Sequence, residues 1–334
     1  MNIEERVREF GKKFSVIREE IQKTIVGNTE VIDHVLLSLI ADGHVLLEGV
    51  PGLGKTLLVK TIGQVLNLSF SRVQFTPDLM PADITGTYLV MEKPDGKKGF
   101  EFQRGPLFAN LVLADEINRA TPKTQSALLE AMQEHNVTVS GTLHPLPSPF
   151  FVLATQNPIE MEGTYPLPEA QVDRFFFKIV VQFPDHAELV SIIDRTTAEV
   201  RPALSKVADG ESILEMRTLS REILIATPVK NYVATLILAT HPEREQAISM
   251  VKRFLRYGVS PRGAQTLTLA GKVRALMHGR FNVSFEDIQA CAVPALRHRL
   301  ILNFEGEAEG ISSDTIVQQL LKEVAYEQEA APLR

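Results

Sequence analysis

The chain has 334 residues, of which 44% are hydrophobic and 23% charged, a composition that is typical of globular proteins and excludes a disordered or fibrous chain. Its formal net charge of -6 argues against a protein that binds nucleic acid along its whole length and against a basic helix that lies on a membrane surface. Cys291 is the single cysteine, which excludes an intrachain disulfide and a cysteine-based metal cluster. The N-terminus is charged, unlike a signal peptide, and no apolar run reaches the roughly 18 residues that span a bilayer. We therefore expect a cytoplasmic protein of two domains without membrane insertion.

The N-terminal part of the chain carries two helical patterns. Apolar residues spaced alternately four and three apart form one stripe, which predicts an amphipathic helix; they are Ile3, Val7, Phe10, Phe14, Ile17 and Ile21. Asn28 belongs to the residue types that cap helices. We expect it to start a second helix that runs to about Ala41 and ends at Gly43.

Short apolar runs separated by helical patterns predict a parallel β-sheet. The runs cover residues 44–48, 70–75, 111–114, 150–155 and 175–181, and helices are expected at 55–66 and 122–134. Shorter strands are expected to pair as hairpins, one formed by 84–91 and 100–102 around a turn at 94–99, the other by 137–139 and 143–146 around Ser140-Gly141. Strands and helices in alternation are typical of an α/β domain.

Beyond residue 185 the predicted elements are helices. Helical spacing covers residues 187–200, 229–239, 246–257, 261–278, 285–300 and 313–325. His298, with Arg297 and Arg299 beside it, is interpreted as a basic helix end, and Cys291 as a buried packing residue. We expect an α/β domain at residues 1–185 and an all-α domain at residues 186–334.

Residues 49–56 fit the pattern G-x-x-x-x-G-K-[ST] in full, as Gly49-Val-Pro-Gly-Leu-Gly54-Lys55-Thr56. Glycines in such a loop let backbone N–H groups turn toward phosphate oxygens, and the next helix presents its positive N-terminal end. The expected strand before the loop and helix after it are the context that distinguishes a nucleotide site from a chance glycine-rich turn. Lys55 is expected to reach the β- and γ-phosphates, and the Thr56 hydroxyl to hold Mg²⁺. The residues assigned to nucleotide binding here are Gly49, Pro51, Gly52, Leu53, Gly54, Lys55, Thr56 and Leu57.

Two adjacent carboxylates, Asp115 and Glu116, end the apolar run at residues 111–114. At the carboxyl edge of a parallel sheet they are expected to lie beside the glycine-rich loop, where open α/β sheets bind ligands. Asp115 suits the shell of Mg²⁺, which takes oxygen ligands. Glu116 suits the base that orients an attacking water. Acidic residues after a strand are common, so the loop upstream is what makes this interpretation specific.

Longer runs of residues extend around these motifs. They are Gln74-Phe-Thr-Pro-Asp-Leu-Met-Pro-Ala-Asp-Ile-Thr-Gly86, Leu113-Ala-Asp-Glu-Ile-Asn-Arg119, Lys123-Thr-Gln-Ser-Ala-Leu-Leu-Glu-Ala-Met132, Ala154-Thr-Gln-Asn-Pro158 and Glu162-Gly-Thr-Tyr-Pro-Leu-Pro-Glu-Ala-Gln-Val-Asp-Arg-Phe175. Together with the loop they resemble the AAA+ ATPases, and the MoxR family among them, over nearly the whole chain. The resemblance implies an α/β P-loop NTPase domain with a parallel central sheet and β-hairpin inserts, followed by an all-α lid domain.

The resemblance also implies roles for single residues. Asn157 matches the sensor-1 position that contacts the γ-phosphate or the lytic water, although the residues alone favour an Asn that caps a turn. Arg174 matches the arginine finger that acts on a neighbouring subunit; from the residues alone it is equally a surface ion-pair partner. Arg262 matches the sensor-2 arginine, acting on its own or a neighbour's nucleotide. Val26 lies in a segment that resembles the one packed on the adenine base.

The chain departs from the family pattern at a few positions. MoxR sequences often have Ala where Gly263 stands and Pro where Thr121 stands, and both differences are conservative for function. The hairpins correspond to inserts that face a central pore, where Tyr88 and Phe108 could touch a substrate. The same aromatic side chains are as readily explained as buried residues of a small sheet.

The function that the resemblance implies is Mg²⁺-dependent ATP hydrolysis in a ring, expected to be a homohexamer, that remodels, matures or activates a partner protein. The cofactors are then ATP and Mg²⁺, and the partner is a separate client or a protein with a von Willebrand factor A domain. The alternatives are a magnesium-chelatase-like motor subunit and a nucleic-acid motor. A nucleic-acid motor needs basic hairpins, but the basic residues of the first hairpin are offset by acidic ones and residues 136–146 contain no Lys or Arg. Nucleic acid is therefore not an expected partner.

Overall fold

A computed structural model of the chain describes residues 2–92, 98–157, 163–197 and 202–324. Parts of the sequence predictions lie outside these residues: turn residues 94–97, Pro158 and Glu162 of the quoted runs, and the predicted helix ends at 198–200 and 325. The chain forms two compact units. The helical unit comprises Met1–Phe14, Phe176–Lys178 and Met216–Arg334, and the sheet unit comprises Ser15–Phe175 and Ile179–Glu215.

A parallel sheet forms the centre of the sheet unit. Its strands are β1 (Val45–Glu48), β2 (Phe70–Gln74), β5 (Leu111–Asp115), β8 (Phe151–Gln156) and β9 (Phe177–Val180), in the spatial order β2-β5-β8-β1-β9. The pairs that join β2 to β5, β5 to β8 and β8 to β1 are all parallel. The inner strands β1, β5 and β8 bury nearly every side chain, which is why they are continuous apolar runs in the sequence, whereas the edge strand β2 buries only Val73. The predicted parallel sheet is confirmed.

Helices lie on both faces of this sheet. In the sheet unit the helices are α2 (Thr29–Ile40), α3 (Lys55–Val65), α4 (Pro81–Thr85), α5 (Pro122–Glu134), α6 (Glu169–Val172) and α7 (His186–Thr197). Alternate strand residues such as Val112 and Val152 pack with Leu128 of α5 in one apolar core. On the opposite face α3 approaches closely, because a Cβ on Gly63 would lie 3.5 Å from the Leu111 side chain. Because successive side chains of a strand point to opposite faces, the apolar residues are divided between the two faces of the sheet, and helices cover both.

Two antiparallel hairpins extend from the sheet unit, as predicted. Strands β3 (Gly86–Glu92) and β4 (Lys98–Arg104) form the first, and β6 (Asn136–Val139) and β7 (Thr142–Pro145) the second. An aromatic cluster joins them: His144 of β7 stacks on Phe102 at 3.8 Å between ring centroids, and Tyr88 Oη lies 3.3 Å from His144 Nε2. Phe108 packs edge-on against Phe102. Tyr88 and Phe108 are thus partly buried in this cluster.

Helices dominate the helical unit. The chain begins with α1 (Ile3–Gln22), which spans both units, and α8 (Gly210–Glu222) leads into the helical unit. There follow α9 (Thr227–Leu238), α10 (Ser249–Phe254), α11 (Pro261–Met277), α12 (Phe285–Leu296), α13 (Phe304–Ala308) and α14 (Ser313–Glu323). Helix α8 was not predicted, although its buried apolar residues have helical spacing: Ile213, Met216 and Leu219.

The structure corrects three details of the helical predictions. The helix expected at 246–257 ends at Phe254 and continues as β10 (Leu255–Tyr257), which pairs antiparallel with β11 (Ile301–Leu302). The C-terminal region is therefore not purely helical. The helix expected at 285–300 ends at Leu296. Asn28 does precede α2, but it has φ 51° and its side chain makes no capping hydrogen bond.

None of the helices in the described ranges is both long enough and apolar enough to span a bilayer.

Candidate functional site

The glycine-rich loop at residues 49–56 connects β1 to α3. Gly52 and Gly54 have φ of 87° and 74°, a backbone conformation that side chains with a Cβ rarely adopt. α3 begins at Lys55, immediately after Gly54, so the loop ends on the first-turn N–H groups, which have no partner within the helix. The loop therefore joins permissive glycines to the positive end of a helix, the arrangement that binds phosphate.

Lys55 extends its side chain back over the loop. Its Nζ donates a hydrogen bond to the Gly49 carbonyl oxygen at 2.6 Å. Burial lowers the pKa of Lys55 below its ordinary value, and the charges of Asp115 and Glu116 oppose that shift. The two carboxylates thus favour the charged form of Lys55.

Asp115 is the last residue of β5, between β2 and β8 in the sheet. One carboxylate oxygen, Oδ1, accepts a hydrogen bond from the Thr155 hydroxyl at 2.7 Å. The other, Oδ2, is paired with Arg72 of β2 at 2.7 Å. The carboxylate is therefore held between the two neighbouring strands, partly exposed at the carboxyl edge of the sheet.

Glu116 follows in the left-handed conformation, with φ 56° and ψ 52°. Its backbone N–H donates to Thr155 Oγ1 at 2.8 Å, which stabilises this unusual backbone for a residue other than glycine. Its carboxylate Oε2 accepts from Gln74 Nε2 at 2.8 Å and from Arg119 Nη1 at 3.1 Å. The two adjacent acidic side chains consequently have separate partners.

The backbone after Glu116 is supported by a buried amide. Gln125 of α5 is fully buried, and its Nε2 donates to the carbonyl oxygens of Ile117, Ala120 and Tyr165 at 3.2, 3.1 and 2.9 Å. It links the short 3-10 turn Ile117–Arg119 to the segment that precedes α6. One side chain thus fixes the loop next to Glu116.

Asn157 comes directly after β8 and is buried, with 7% of its surface exposed. Because β8 lies between β5 and β1, Asn157 leaves the sheet between the strand that ends in Asp115 and the strand that leads into the loop. The preceding carbonyl, that of Gln156, accepts from Gly49 N at 3.4 Å. The topology therefore brings Asn157 to the same edge as the predicted loop and carboxylates.

A cavity of about 530 Å³ adjoins the loop within the sheet unit. Three segments line it, mostly with apolar side chains: Thr24, Ile25, Val26, Asn28 and Val31; Leu47, Pro51, Gly52, Leu53, Gly54, Lys55, Leu57 and Leu58; Val181, Phe183, Pro184, Leu189, Ile192, Arg195 and Thr196. Its size is that of a typical small-molecule site. Val26 lies in the wall of this cavity.

The third lining segment, from Val181 to Thr196, has no role that the sequence predicted. Leu189, Ile192 and Thr196 have helical spacing on α7, a signal that predicts a helix but does not reveal what its face covers. Arg195 anchors α7 by donating to the carbonyl oxygens of Gln22 and Lys23 at 2.8 and 3.0 Å. The carboxylate-holding residues Arg72, Gln74, Arg119 and Thr155 were missed for a similar reason. Arg72 lies in the predicted strand at 70–75 and the other three in the quoted runs, and none has a distinctive local pattern.

The two remaining predicted arginines lie elsewhere. Arg174 is exposed after α6 and does not line the cavity; it borders a separate groove of about 480 Å³ together with Glu130, Glu134 and Gln171. Arg262 is the second residue of α11 in the helical unit, and its backbone N–H donates to the Ser260 hydroxyl at 3.2 Å. The structure therefore assembles the loop and the carboxylates, and sets Arg174 on the surface of the sheet unit.

Comparisons with known proteins identify similar chains. A family model described as the ATPase family associated with various cellular activities (AAA) matches residues 44–177, and one described as the AAA lid domain matches residues 248–320. The chain is 42% identical to Chaperone MoxR1 of Mycobacterium tuberculosis over 92% of its own length and 81% of that protein. It is 32% identical to Protein MoxR of Methylorubrum extorquens over 85% and 86%. A crystal structure of a Cytophaga hutchinsonii protein is similar with a TM-score of 0.91 and 41% identity, covering 97% of this chain and 98% of that one.

Proposed function

Because this chain belongs to the MoxR family of AAA+ ATPases, we propose that it couples Mg²⁺-dependent ATP hydrolysis in a ring to the remodelling of a partner protein. The observation that carries the proposal is the pair Asp115 and Glu116, held by different partners at the sheet edge that also carries Lys55. One carboxylate is thereby available to a metal ion and the other to a water molecule. A site that merely bound nucleotide would need no second carboxylate.

Nucleotide binding is supported by the loop and the cavity together. Gly52 and Gly54 have open space where a Cβ would be, so phosphate oxygens can approach the backbone N–H groups. Residues 49 and 51–57 would hold the phosphates, with Lys55 on the β- and γ-phosphates. The apolar wall that includes Val26 would take the adenine base. The nucleotide contacts are thus all within the sheet unit.

The donors at the sheet edge also fit a magnesium ion. Thr56 would contribute its hydroxyl and Asp115 its carboxylate, and both are the hard oxygen ligands that Mg²⁺ prefers. Bound there, Mg²⁺ would neutralise charge on the phosphate oxygens. Arg72, at 2.7 Å from Asp115, orients that carboxylate.

Glu116 would act as the base. It would accept a proton from water as the water oxygen forms its bond to the γ-phosphorus and the bond to the ADP oxygen breaks. Gln74 and Arg119 hold its carboxylate by donating to one oxygen, Oε2. Asn157 would orient the same water or the γ-phosphate from the neighbouring strand end.

Arg174 would complete the site of a neighbouring subunit. Arg174 is exposed and is not among the residues that line the cavity, which supports action in trans, because an arginine must reach the γ-phosphate to stabilise the transition state. This requires a homo-oligomeric ring, for which we propose a hexamer. Arg262 would contact the γ-phosphate of its own or the adjacent subunit. The boundary between the two domains is proposed at residues 185 and 186, whereas the compact units divide the chain differently, since Ile179–Glu215 belongs to the sheet unit and Met1–Phe14 to the helical unit.

The partner is proposed to be a separate protein, either a client or a protein with a von Willebrand factor A domain. The name of the mycobacterial relative, a chaperone, supports a role on other proteins. A nucleic-acid motor is less well supported, because the second hairpin has no Lys or Arg and the aromatic residues Tyr88 and Phe108 pack in the cluster between the hairpins.

Steady-state ATP hydrolysis measured against protein concentration, with the mass from light scattering on the same samples, tests this proposal. We expect specific activity to rise as the ring assembles and to require Mg²⁺. Lys55→Ala should lose nucleotide binding, whereas Glu116→Gln should bind nucleotide without turnover. Arg174→Ala should cut hydrolysis and regain it when mixed with Glu116→Gln. A monomer that hydrolyses at full rate would refute the shared site.

A further inference from the structure

The side chain of Arg299 is buried, with 5% of its surface exposed. The expected basic helix end is therefore wrong at this residue, because an arginine is rarely buried unless its guanidinium is satisfied. Arg297, two residues earlier, is partly buried, with 15% of its side chain exposed, and pairs with Asp314 at 2.7 Å. The two arginines thus differ in their partners, because Arg297 binds a carboxylate whereas Arg299 binds carbonyl and hydroxyl oxygens.

The guanidinium of Arg299 connects three separate stretches of the helical unit. Its Nη1 donates to the carbonyl oxygen of Phe176 at 3.3 Å and also to that of Ala295 in α12. Its Nη2 donates to the Thr266 hydroxyl of α11 at 3.3 Å. A planar guanidinium with several N–H donors can bond in these directions at once, which a lysine cannot.

The stem of Arg299 packs tightly against the start of α11. A Cβ on Gly263 would lie 3.3 Å from Arg299 Cδ and 2.2 Å from a methyl carbon of Val259. The glycine therefore allows the close approach of α11 to this side chain. Thr266 lies four residues after Arg262, so it is on the same face of the helix one turn further along.

The carbonyl that Arg299 holds is two residues from Arg174. The side chains of Phe175, Phe176 and Phe177 are 0%, 7% and 0% exposed. The backbone after the exposed Arg174 is thus anchored by buried aromatic residues and, at Phe176, by the Arg299 guanidinium.

We propose that Arg299 is a positioning residue for Arg174: it fixes the Phe176 backbone to α11 and α12 and so sets where the Arg174 guanidinium projects into the next subunit. The inference rests on the proposed function, in which Arg174 acts in trans. A role confined to capping α12 through Ala295 predicts lower stability but no change in turnover per folded ring.

The test compares Arg299→Lys with Arg297→Lys, which keeps charge at the same helix end, and with Thr266→Val, which removes one acceptor alone. For Arg299→Lys we expect kcat to fall by about tenfold or more with KM for ATP within about twofold, because small misplacements of a catalytic group are costly. Thr266→Val should show a smaller fall, and Arg297→Lys none. Ring mass from light scattering and folded content from circular dichroism are measured on each sample.

Mixing experiments show whether the loss of activity in Arg299→Lys comes from a misplaced Arg174. Rings that combine Arg299→Lys with Glu116→Gln subunits should regain activity, since the Glu116→Gln subunit supplies a well-placed Arg174 to the active base of its neighbour. Hydrogen exchange in the peptide that spans residues 174–180 should also be faster in Arg299→Lys without nucleotide.

Unchanged exchange in that peptide, or no recovery on mixing while Arg174→Ala does recover, would overturn the assignment of Arg299. If Arg174→Ala itself loses no activity, the proposed shared site fails instead. The two failures are thus distinguishable.

Discussion

The hydroxyl group of Thr155 links the Asp115 carboxylate to the backbone N–H of Glu116, and its removal is a direct test of the site. It is 1% exposed, donates to Asp115 Oδ1 at 2.7 Å and accepts from Glu116 N at 2.8 Å. Thr155→Val preserves the branched shape but removes both hydrogen bonds. Glu116 then loses the contact that holds its left-handed backbone conformation.

The size of the effect follows from the two bonds. A hydrogen bond to a charged acceptor contributes about 1.5–3 kcal/mol and one between neutral groups about 0.5–1.5 kcal/mol, so local opening should become easier by about 2–4 kcal/mol. Since about 1.4 kcal/mol corresponds to a factor of ten, the Glu116 amide should exchange with solvent about 30- to 700-fold faster. ATP turnover should fall as well, because the backbone that presents the Glu116 carboxylate is held less firmly.

Hydrogen exchange of the peptide that contains Glu116, measured by mass spectrometry, is the assay. Thr155→Ser is the matched control, because it retains the hydroxyl and loses a methyl group. We expect Thr155→Ser to remain close to the parent chain. The reasoning is refuted if the valine and serine variants exchange equally fast, or if Thr155→Val leaves the Glu116 amide as protected as before.

Three further predictions concern buried groups. Gln125→Leu removes the donor shared by three carbonyl oxygens and should lower the free energy of unfolding by about 2–4 kcal/mol, measured by chemical denaturation. Gln125→Met should lower it by a similar amount if the lost hydrogen bonds are the cause. Burial raises the pKa of Cys291 to about 12, so its thiol should resist alkylation at pH 8 in the folded chain and react after unfolding in urea; equal rates would contradict this. Burial acts to raise the pKa of Asp287, but hydrogen bonds from Arg280 lower it below its ordinary value. Its stabilising contribution is therefore complete at neutral pH and is lost as the pH falls through the folded-state pKa, and Arg280→Met should cost about 3–5 kcal/mol at pH 7; a melting temperature unaffected by the substitution would contradict it.

The sequence alone predicted much of the fold and the central part of the site. Periodicity located the central strands, because a parallel strand buried on both faces is apolar throughout and a helix repeats every 3.6 residues. The loop at residues 49–56 and the pair Asp115 and Glu116 were found because their chemistry requires contiguous residues. Their proximity to one another followed from the general rule that ligands bind at the carboxyl edge of such sheets.

Tertiary structure alone decided which side chains hold those groups. Gln74 and Thr155 are each about forty residues from the carboxylates they contact, and they meet because β2 and β8 flank β5 in the sheet. Strand order depends on the packing of the whole sheet and leaves no local pattern in the sequence. The same is true of Arg299, whose burial is set by α11 and by Phe176 more than a hundred residues away. Local spacing reports which face of an element is apolar, whereas the partner of a polar side chain is chosen by long-range packing.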